Sequence, residues 1–214
     1  MGTGNNMIGI KEIAKEAKVS PATVSRVLRN PALVAEATRN AVLETVKKYG
    51  YTPNNLGVSL RKSKTNNLIA VIPDVISCFN YPVMRAIESI ALDHGYNLLL
   101  GDTQELESRE RSFAAMVRSR QADGLLLFCS RLPFDVSTEL PLADQLPPLV
   151  NACEDIDLEG IPKVNIDNAA AAEDAVNYLL SLGHRRIAVI AGNMTSPSTK
   201  SRMEGYKRAL LKAG

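Results

Sequence analysis

Apolar residues at helical spacing open the chain. Ile10, Ile13, Ala14 and Ala17 share one face of a helix expected over 10–17. A break at Lys18-Val19 leads into Ser20-Pro21, a good N-cap followed by the residue best suited to the first helical position. Val24, Val27 and Leu28 make the inward stripe of this second helix, and Pro31 ends the turn region. A third helix is expected from about 35 to 49, with Ala37, Ala41, Val42, Thr45 and Val46 facing in and Gly50 as its stop. Small Ala14 lets the first two helices cross closely, and Val19 plugs their corner. Residues 52–67 carry no apolar period. From Leu68 onward, short apolar runs alternate with amphipathic stretches. Strands are expected at 68–73, 96–101, 124–129, 149–152, 164–167 and 186–191. Helices are expected from about Tyr81, with Val83, Met84, Ile87 and Ile90 inward; over 105–121, with Phe113, Met116 and Val117 inward; through 182; and over 201–213. Continuous apolar strands separated by such helices predict a parallel sheet covered on both faces. The expected organisation is a disordered extension over 1–7, a helical head over 8–51, a linker over 52–67 and an α/β body from 68.

Charge separates head from body. The 214 residues carry a net charge of only +2, but residues 1–67 hold eleven Lys/Arg against four acids, a net +7. The remainder is net −5. A basic head on an acidic body suggests a polyanion met by the head. Two short helices joined by a tight turn, with a third behind, match a helix-turn-helix. By pattern, a three-helix bundle with no nucleic-acid role is also admissible. A 45% hydrophobic, 22% charged composition excludes disordered and collagen-like classes, and no apolar run approaches a membrane span. Cys78, Cys129 and Cys153 are odd in number, with no CxxC and no Cys/His cluster, so buried thiols in a reducing cytoplasm are expected. The N-terminus lacks the basic and apolar regions of a secretory signal, which also points to the cytoplasm.

Parallel sheets bind ligands at the carboxyl ends of their strands, which directs attention to residues just after each expected strand, Asp74 to Asn80, Ser130-Arg131, Cys153-Glu154, Asp167-Asn168 and Gly192 to Ser198 among them. Catalytic motifs are lacking: there is no GxGxxG, GxxxxGK[ST], GxSxG or HExxH. His94 and His184 each sit beside a glycine at a helix end, where the helix dipole accounts for them. No enzyme, cofactor or metal site is expected.

The run Ile10-Lys-Glu-Ile-Ala-Lys-Glu-Ala-Lys-Val-Ser-Pro-Ala-Thr-Val-Ser-Arg-Val-Leu28 resembles the head of LacI/GalR-type repressors, as do Val34 to Arg39 and Tyr49 to Pro53. Ala122 to Leu127, Val164 to Asn168, Leu182 to Ile187 and Arg202 to Tyr206 resemble the same family's effector domain, itself similar to periplasmic binding proteins. Within the family, Ser130 to Asp135, His94 to Tyr96, Leu100 to Asp102 and Asp174 to Leu179 look most like the cytidine-responsive subgroup. The fold so implied is an all-α helix-turn-helix head plus an α/β periplasmic-binding-protein-like effector domain with parallel sheets. Its first subdomain would cover 68–166 and the start of its second 167–214. Relatives of this type are about half as long again. The expectation is an incomplete second sheet with exposed apolar faces, a poor effector response and a tendency to associate.

The resemblance implies a cytoplasmic, dimeric, DNA-binding repressor on a palindromic operator, modulated by a small neutral effector, cytidine being the candidate. It places Pro21, Ala22 and Arg26 toward base edges. Pro21 and Ala22 can read only thymine methyls or shape, whereas Arg26 can offer a guanine a bidentate pair. Ser20, Thr23, Ser25, Arg29 and Thr38 occupy phosphate-contacting positions. Leu60 matches the leucine that paired hinges push into a minor-groove step, and Leu56 lies four residues earlier. Gly57 and Val58 lower helix propensity, so this hinge is expected to fold only on an operator. The implied effector cleft includes Phe79, Asn80, Ser130, Asp167, Ser196 and Ser198. Ser196 stands where purine-responsive relatives carry Arg, which leaves a neutral nucleoside. Two departures from the family are Lys18, at a left-handed position where many relatives carry Gly or Asn, and Ala35, where many carry a Ser cap. The competing reading is a small-molecule binding protein without DNA regulation.

Overall fold

The computed structural model describes residues 8–52 and 64–214. The expectations for 1–7 and for the hinge, Leu56 and Leu60 included, lie outside the described residues. The chain divides into two compact units between Lys62 and Ser63.

In the first unit, α1 (Ile10–Glu16), α2 (Pro21–Arg29) and α3 (Glu36–Tyr49) enclose Ile13, Ala14, Val24, Val27 and Val42. Val19 packs against this core. The α1–α2 turn closes α1 as a Schellman motif: Val19 N–H donates to the Ala14 carbonyl at 2.9 Å and Lys18 N–H to that of Lys15 at 3.2 Å. Lys18 takes the left-handed conformation the motif needs, with φ 53°. Gly50, φ 58°, ends α3 in the same way, with Tyr51 N–H donating to the Val46 carbonyl at 3.0 Å. Ala35 precedes α3 with no side-chain cap. The inward stripe of α3 is narrower than its sequence pattern predicts. Val42 is buried and Val46 half-buried, while Ala37 and Ala41 are exposed, because a core this small is covered along one seam.

The second unit runs β1 (Asn67–Ile72), α4 (Asn80–Asp93), β2 (Asn97–Asp102), α5 (Glu107–Arg118), β3 (Gly124–Leu127), α6 (Leu142–Gln145), β4 (Leu149–Ala152), β5 (Lys163–Val164), α7 (Asn168–Ser181) and α8 (Pro197–Ala213). Its strands form one parallel sheet in the order β2-β1-β3-β4-β5. Alternation along β1 splits the core: Ile69 and Val71 face Ala114, Val117 and Leu125, while Ala70 and Ile72 face Val83, Met84 and Ile87 of α4. Gly101 is required where α5 crosses β2, since a Cβ there would lie 2.7 Å from the Phe113 ring. The chain order reverses between β1 and β3, which places a crevice at the carboxyl ends of those strands.

Five expectations need correction. The apolar run 186–191 forms no ladder among the described residues, and Ile190 is fully exposed. A strand-like pattern becomes a strand only beside a partner, and none is described there. The last strand is Lys163–Val164, because Asp167 is taken up as the cap of α7. Helix α8 begins four residues early, at Pro197, since Ser196-Pro197 is itself a helix start. Ile90 is 61% exposed, its place on the buried face of α4 being filled by Ala91, and Cys78 is exposed, unlike buried Cys129.

Candidate nucleic-acid interface and ligand cleft

Helix α2 is built to present its first turn. The Ser20 hydroxyl oxygen accepts from the Thr23 N–H at 3.1 Å and pairs with the Thr23 hydroxyl at 2.9 Å. Pro21 follows, lacking the N–H that would otherwise be unpaired. Pro21 and Ala22 are exposed, and no acidic residue occupies this turn, so the positive end of the helix dipole faces solvent uncompensated. Arg26 is exposed one turn on, and its guanidinium has no hydrogen-bond partner among the described residues. Arg29 folds back along the helix instead. Its Nε donates to the Ser25 carbonyl at 3.3 Å and its Nη2 to the Ser25 hydroxyl, so these two side chains act as a pair. Thr38 is half-buried near the start of α3. The face can accept an anion at the helix end and offer a free planar guanidinium beside it.

At the entrance to the second unit, the Asp123 carboxylate accepts from the Thr65 N–H and hydroxyl, both at 2.7 Å, and from the Asn66 N–H at 2.9 Å. Burial pushes the Asp123 carboxyl up, but these donors and the Lys64 ammonium more than offset it and hold it below the usual carboxylate range. The Lys64 ammonium lies over the Tyr96 ring, 4.7 Å from its centre. This clamp pins residues 64–66 to the start of β3.

A cleft of about 300 Å³ opens at the carboxyl ends of β1 and β3. Ser130, Arg131 and Glu110 form one side, and Glu154, Ser196 and Ser198 another. Arg131 is spoken for: it makes two hydrogen bonds to the buried Glu110 carboxylate, at 2.9 and 3.2 Å, and a third to the Glu105 carbonyl at 3.1 Å. The Glu110 pairing raises the Arg131 pKa further. Burial, with the Glu110 charge nearby, pushes the Cys129 thiol up to about 12, so it is a neutral wall rather than a nucleophile. Buried Asn151 supports the floor. Its Nδ2 donates to the Leu127 and Cys129 carbonyls at 3.0 and 3.2 Å, and its oxygen accepts from Ile156 N–H at 3.0 Å.

Of the residues the resemblance assigned to an effector, Ser130, Ser196 and Ser198 line this cleft. Asp167 lies in a neighbouring depression that shares Ser198, and there it caps α7 by accepting from the Ala170 N–H at 2.8 Å. Phe79 and Asn80 line neither. Phe79 is half-exposed ahead of α4, and buried Asn80 donates to the Asp74 carbonyl at 2.7 Å. Glu110 was not singled out from the sequence, whereas Arg131 and Glu154 were among the post-strand candidates and line the cleft, though the resemblance did not assign them to the effector. The available signal was the position of Glu154 and Arg131 directly after strands. Nothing local shows that Glu154 turns toward serines forty-two residues on.

Residues 9–54 match bacterial regulatory proteins of the lacI family, and residues 65–214 match periplasmic binding proteins and the sugar binding domain of the LacI family. The chain belongs to the LacI family. Among curated LacI-family relatives, it is 42% identical over 205 residues to the HTH-type transcriptional repressor CytR of Escherichia coli K12, covering 96% of this chain and 60% of the relative. It is 34% identical over 208 residues to catabolite control protein A of Priestia megaterium, covering 97% of this chain and 62% of that one. The LacI-family chain thus spans about three fifths of these relatives' length. Its fold matches a lac repressor dimer bound to operator and an anti-inducer, with a TM-score of 0.79 at 20% identity, over 96% of this chain and 62% of the other. The fold expected from sequence, a helix-turn-helix head and a parallel α/β domain, is the one observed. No helix among the described residues is long and apolar enough to cross a membrane.

Proposed function

We propose that this chain carries the operator-reading head and part of the effector domain of a cytoplasmic transcriptional repressor. It would act as a homodimer whose paired heads bind a palindromic operator. A small neutral ligand, a nucleoside such as cytidine, would alter operator affinity by binding the two states of the body unequally. The observation that carries this reading is the start of α2: a first turn with no acidic residue, exposed Pro21 and Ala22, and, one turn on, an exposed Arg26 guanidinium with no partner among the described residues. The likeness of Ser130 to Asp135, His94 to Tyr96, Leu100 to Asp102 and Asp174 to Leu179 to the cytidine-responsive subgroup supports the nucleoside assignment, and the 42% identity to the repressor CytR supports the repressor reading. In this scheme Arg26 supplies hydrogen-bonded base discrimination, Thr23 and Thr38 contact phosphates with Ser20, Ser25 and Arg29, and the hinge leucines Leu56 and Leu60 wedge the minor groove. The relatives named above are regulators by description, and the reading assigns no catalysis to the cleft.

Fluorescence anisotropy of labelled duplexes across a salt series tests it. A palindrome bound about 10³-fold more tightly than its scramble is the expected result. Arg26→Ala should cut that preference by about 10- to 100-fold, matching the ~1–3 kcal/mol of one bidentate base contact. Weak, equal binding to both duplexes, falling steeply with salt, contradicts the reading and leaves a non-specific basic head.

A further inference from the structure

Three acidic residues line the cleft, exposed Glu105, buried Glu110, and Glu154, against one cation among the described residues. Its one lining cation, Arg131, is taken by Glu110. Glu154 has no ion-pair partner among the described residues. Its carboxylate is held instead by neutral donors: the Ser198 hydroxyl at 2.7 Å, the Ser196 hydroxyl at 3.1 and 3.2 Å, and the Ser198 N–H at 3.3 Å. These donors sit at the start of α8, where Ser196 is also the N-cap. The protein's own carboxylate therefore occupies the position that a ligand anion would need. Cys153, with φ 68°, turns the chain directly before Glu154.

We propose that Glu154 sets the ligand specificity of this cleft: it rejects phosphorylated ligands and reads an unphosphorylated one through hydroxyl or amine donors. The inference rests on the effector reading above and sharpens it. A phosphate entering the cleft meets an uncancelled negative charge and finds the donors at the α8 terminus already used. A neutral nucleoside or sugar meets acceptor lone pairs on Glu154 and the hydroxyls of Ser130 and Ser196.

Calorimetric titration of the full 214-residue chain and of Glu154→Gln with cytidine and with cytidine 5′-monophosphate tests this. The parent is expected to prefer cytidine by about 30-fold or more, on the scale of a like charge opposed in a partly desolvated site. Glu154→Gln should reduce the preference about tenfold or more, through a gain in monophosphate binding, while Glu154→Asp keeps it. Circular dichroism melting confirms that each variant is folded, and Glu154→Ala replaces Glu154→Gln if the latter is not. Cytidine binding with a preference unchanged in the neutral variant overturns the inference and leaves the effector reading standing. Failure of the parent to bind either ligand overturns both.

Discussion

Two helices in this chain begin with nearly the same four residues. Ser20-Pro21-Ala22-Thr23 opens α2 and Ser196-Pro197-Ser198-Thr199 opens α8. Both serines sit in extended backbone and accept from the threonine N–H three residues on, at 3.1 Å in α2 and 3.4 Å in α8. Local sequence thus builds the same positive, donor-rich end twice. What differs is the third residue and what packs nearby. Ala22 offers no hydroxyl and no acid lies in the first turn, so the α2 end stays open. Ser198 is buried, and its hydroxyl and N–H are filled by Glu154 from the end of another strand. Whether such an end serves an external anion is a tertiary property, decided by charge placed from far along the chain.

The largest expected break in this comparison comes from unseating α8. Gly205 lies where α8 crosses α7, and a Cβ there would fall far inside contact distance of the Ala169 carbonyl oxygen. Overpacking against backbone cannot relax by rotamer change, so Gly205→Ala should destabilise the second unit by about 3 kcal/mol. The head has its own core, so its melting should be unchanged. Hydrogen exchange resolves the two: amides of α7 and α8 should lose protection while those of Val24 and Val27 keep it. Equal loss in both units would show that the two helix ends are not independent.

A finer test removes each cap. Ser20→Ala deletes one cap bond and should cost about 1 kcal/mol of head stability. Ser196→Ala deletes a cap bond and also a donor to a partly buried carboxylate, and should cost about 2 kcal/mol in the second unit. Urea unfolding with unit-specific probes measures both. Equal costs would mean that the Ser196–Glu154 contact contributes nothing to stability.

The same contrast marks what the sequence alone makes legible. The α2 end was legible because everything that shapes it lies within ten residues: the Ser-Pro start, the Val24, Val27 and Leu28 stripe, and the turn at Lys18. The parallel sheet was legible because four apolar runs, those of β1 to β4, found neighbours of the same kind. The run 186–191 has the same pattern and no described partner, so pattern and outcome part there. The contact of Glu154 with Ser196 and Ser198 was opaque for a related reason. It depends on the distance between the end of β4 and the start of α8, which no local period encodes. Ile90 and Ala41 show the limit within single helices: periodicity names a face, but the size of the opposing core decides how much of it is buried.

The smallest expected effect concerns the turn that aims α2. Lys18 and Gly50 hold equivalent positions in two Schellman motifs, with φ 53° and 58°. A side chain in left-handed backbone costs roughly 1 kcal/mol, partly offset because glycine loses more freedom on folding. Lys18→Gly should therefore stabilise the head by about 0.5 kcal/mol, and Gly50→Ala should destabilise it by about 1 kcal/mol. The lysine has a second consequence. It is exposed, one turn before the open end of α2, and it adds one of the eleven positive charges of residues 1–67. Lys18→Gly is then expected to raise the melting temperature of the head and, at low salt, to weaken binding to palindrome and scramble alike. A matching loss on both duplexes, shrinking as salt rises, would show that Lys18 trades stability of the turn for sequence-independent attraction to a polyanion. A loss confined to the palindrome would show instead that the strained turn sets the angle at which α2 is presented.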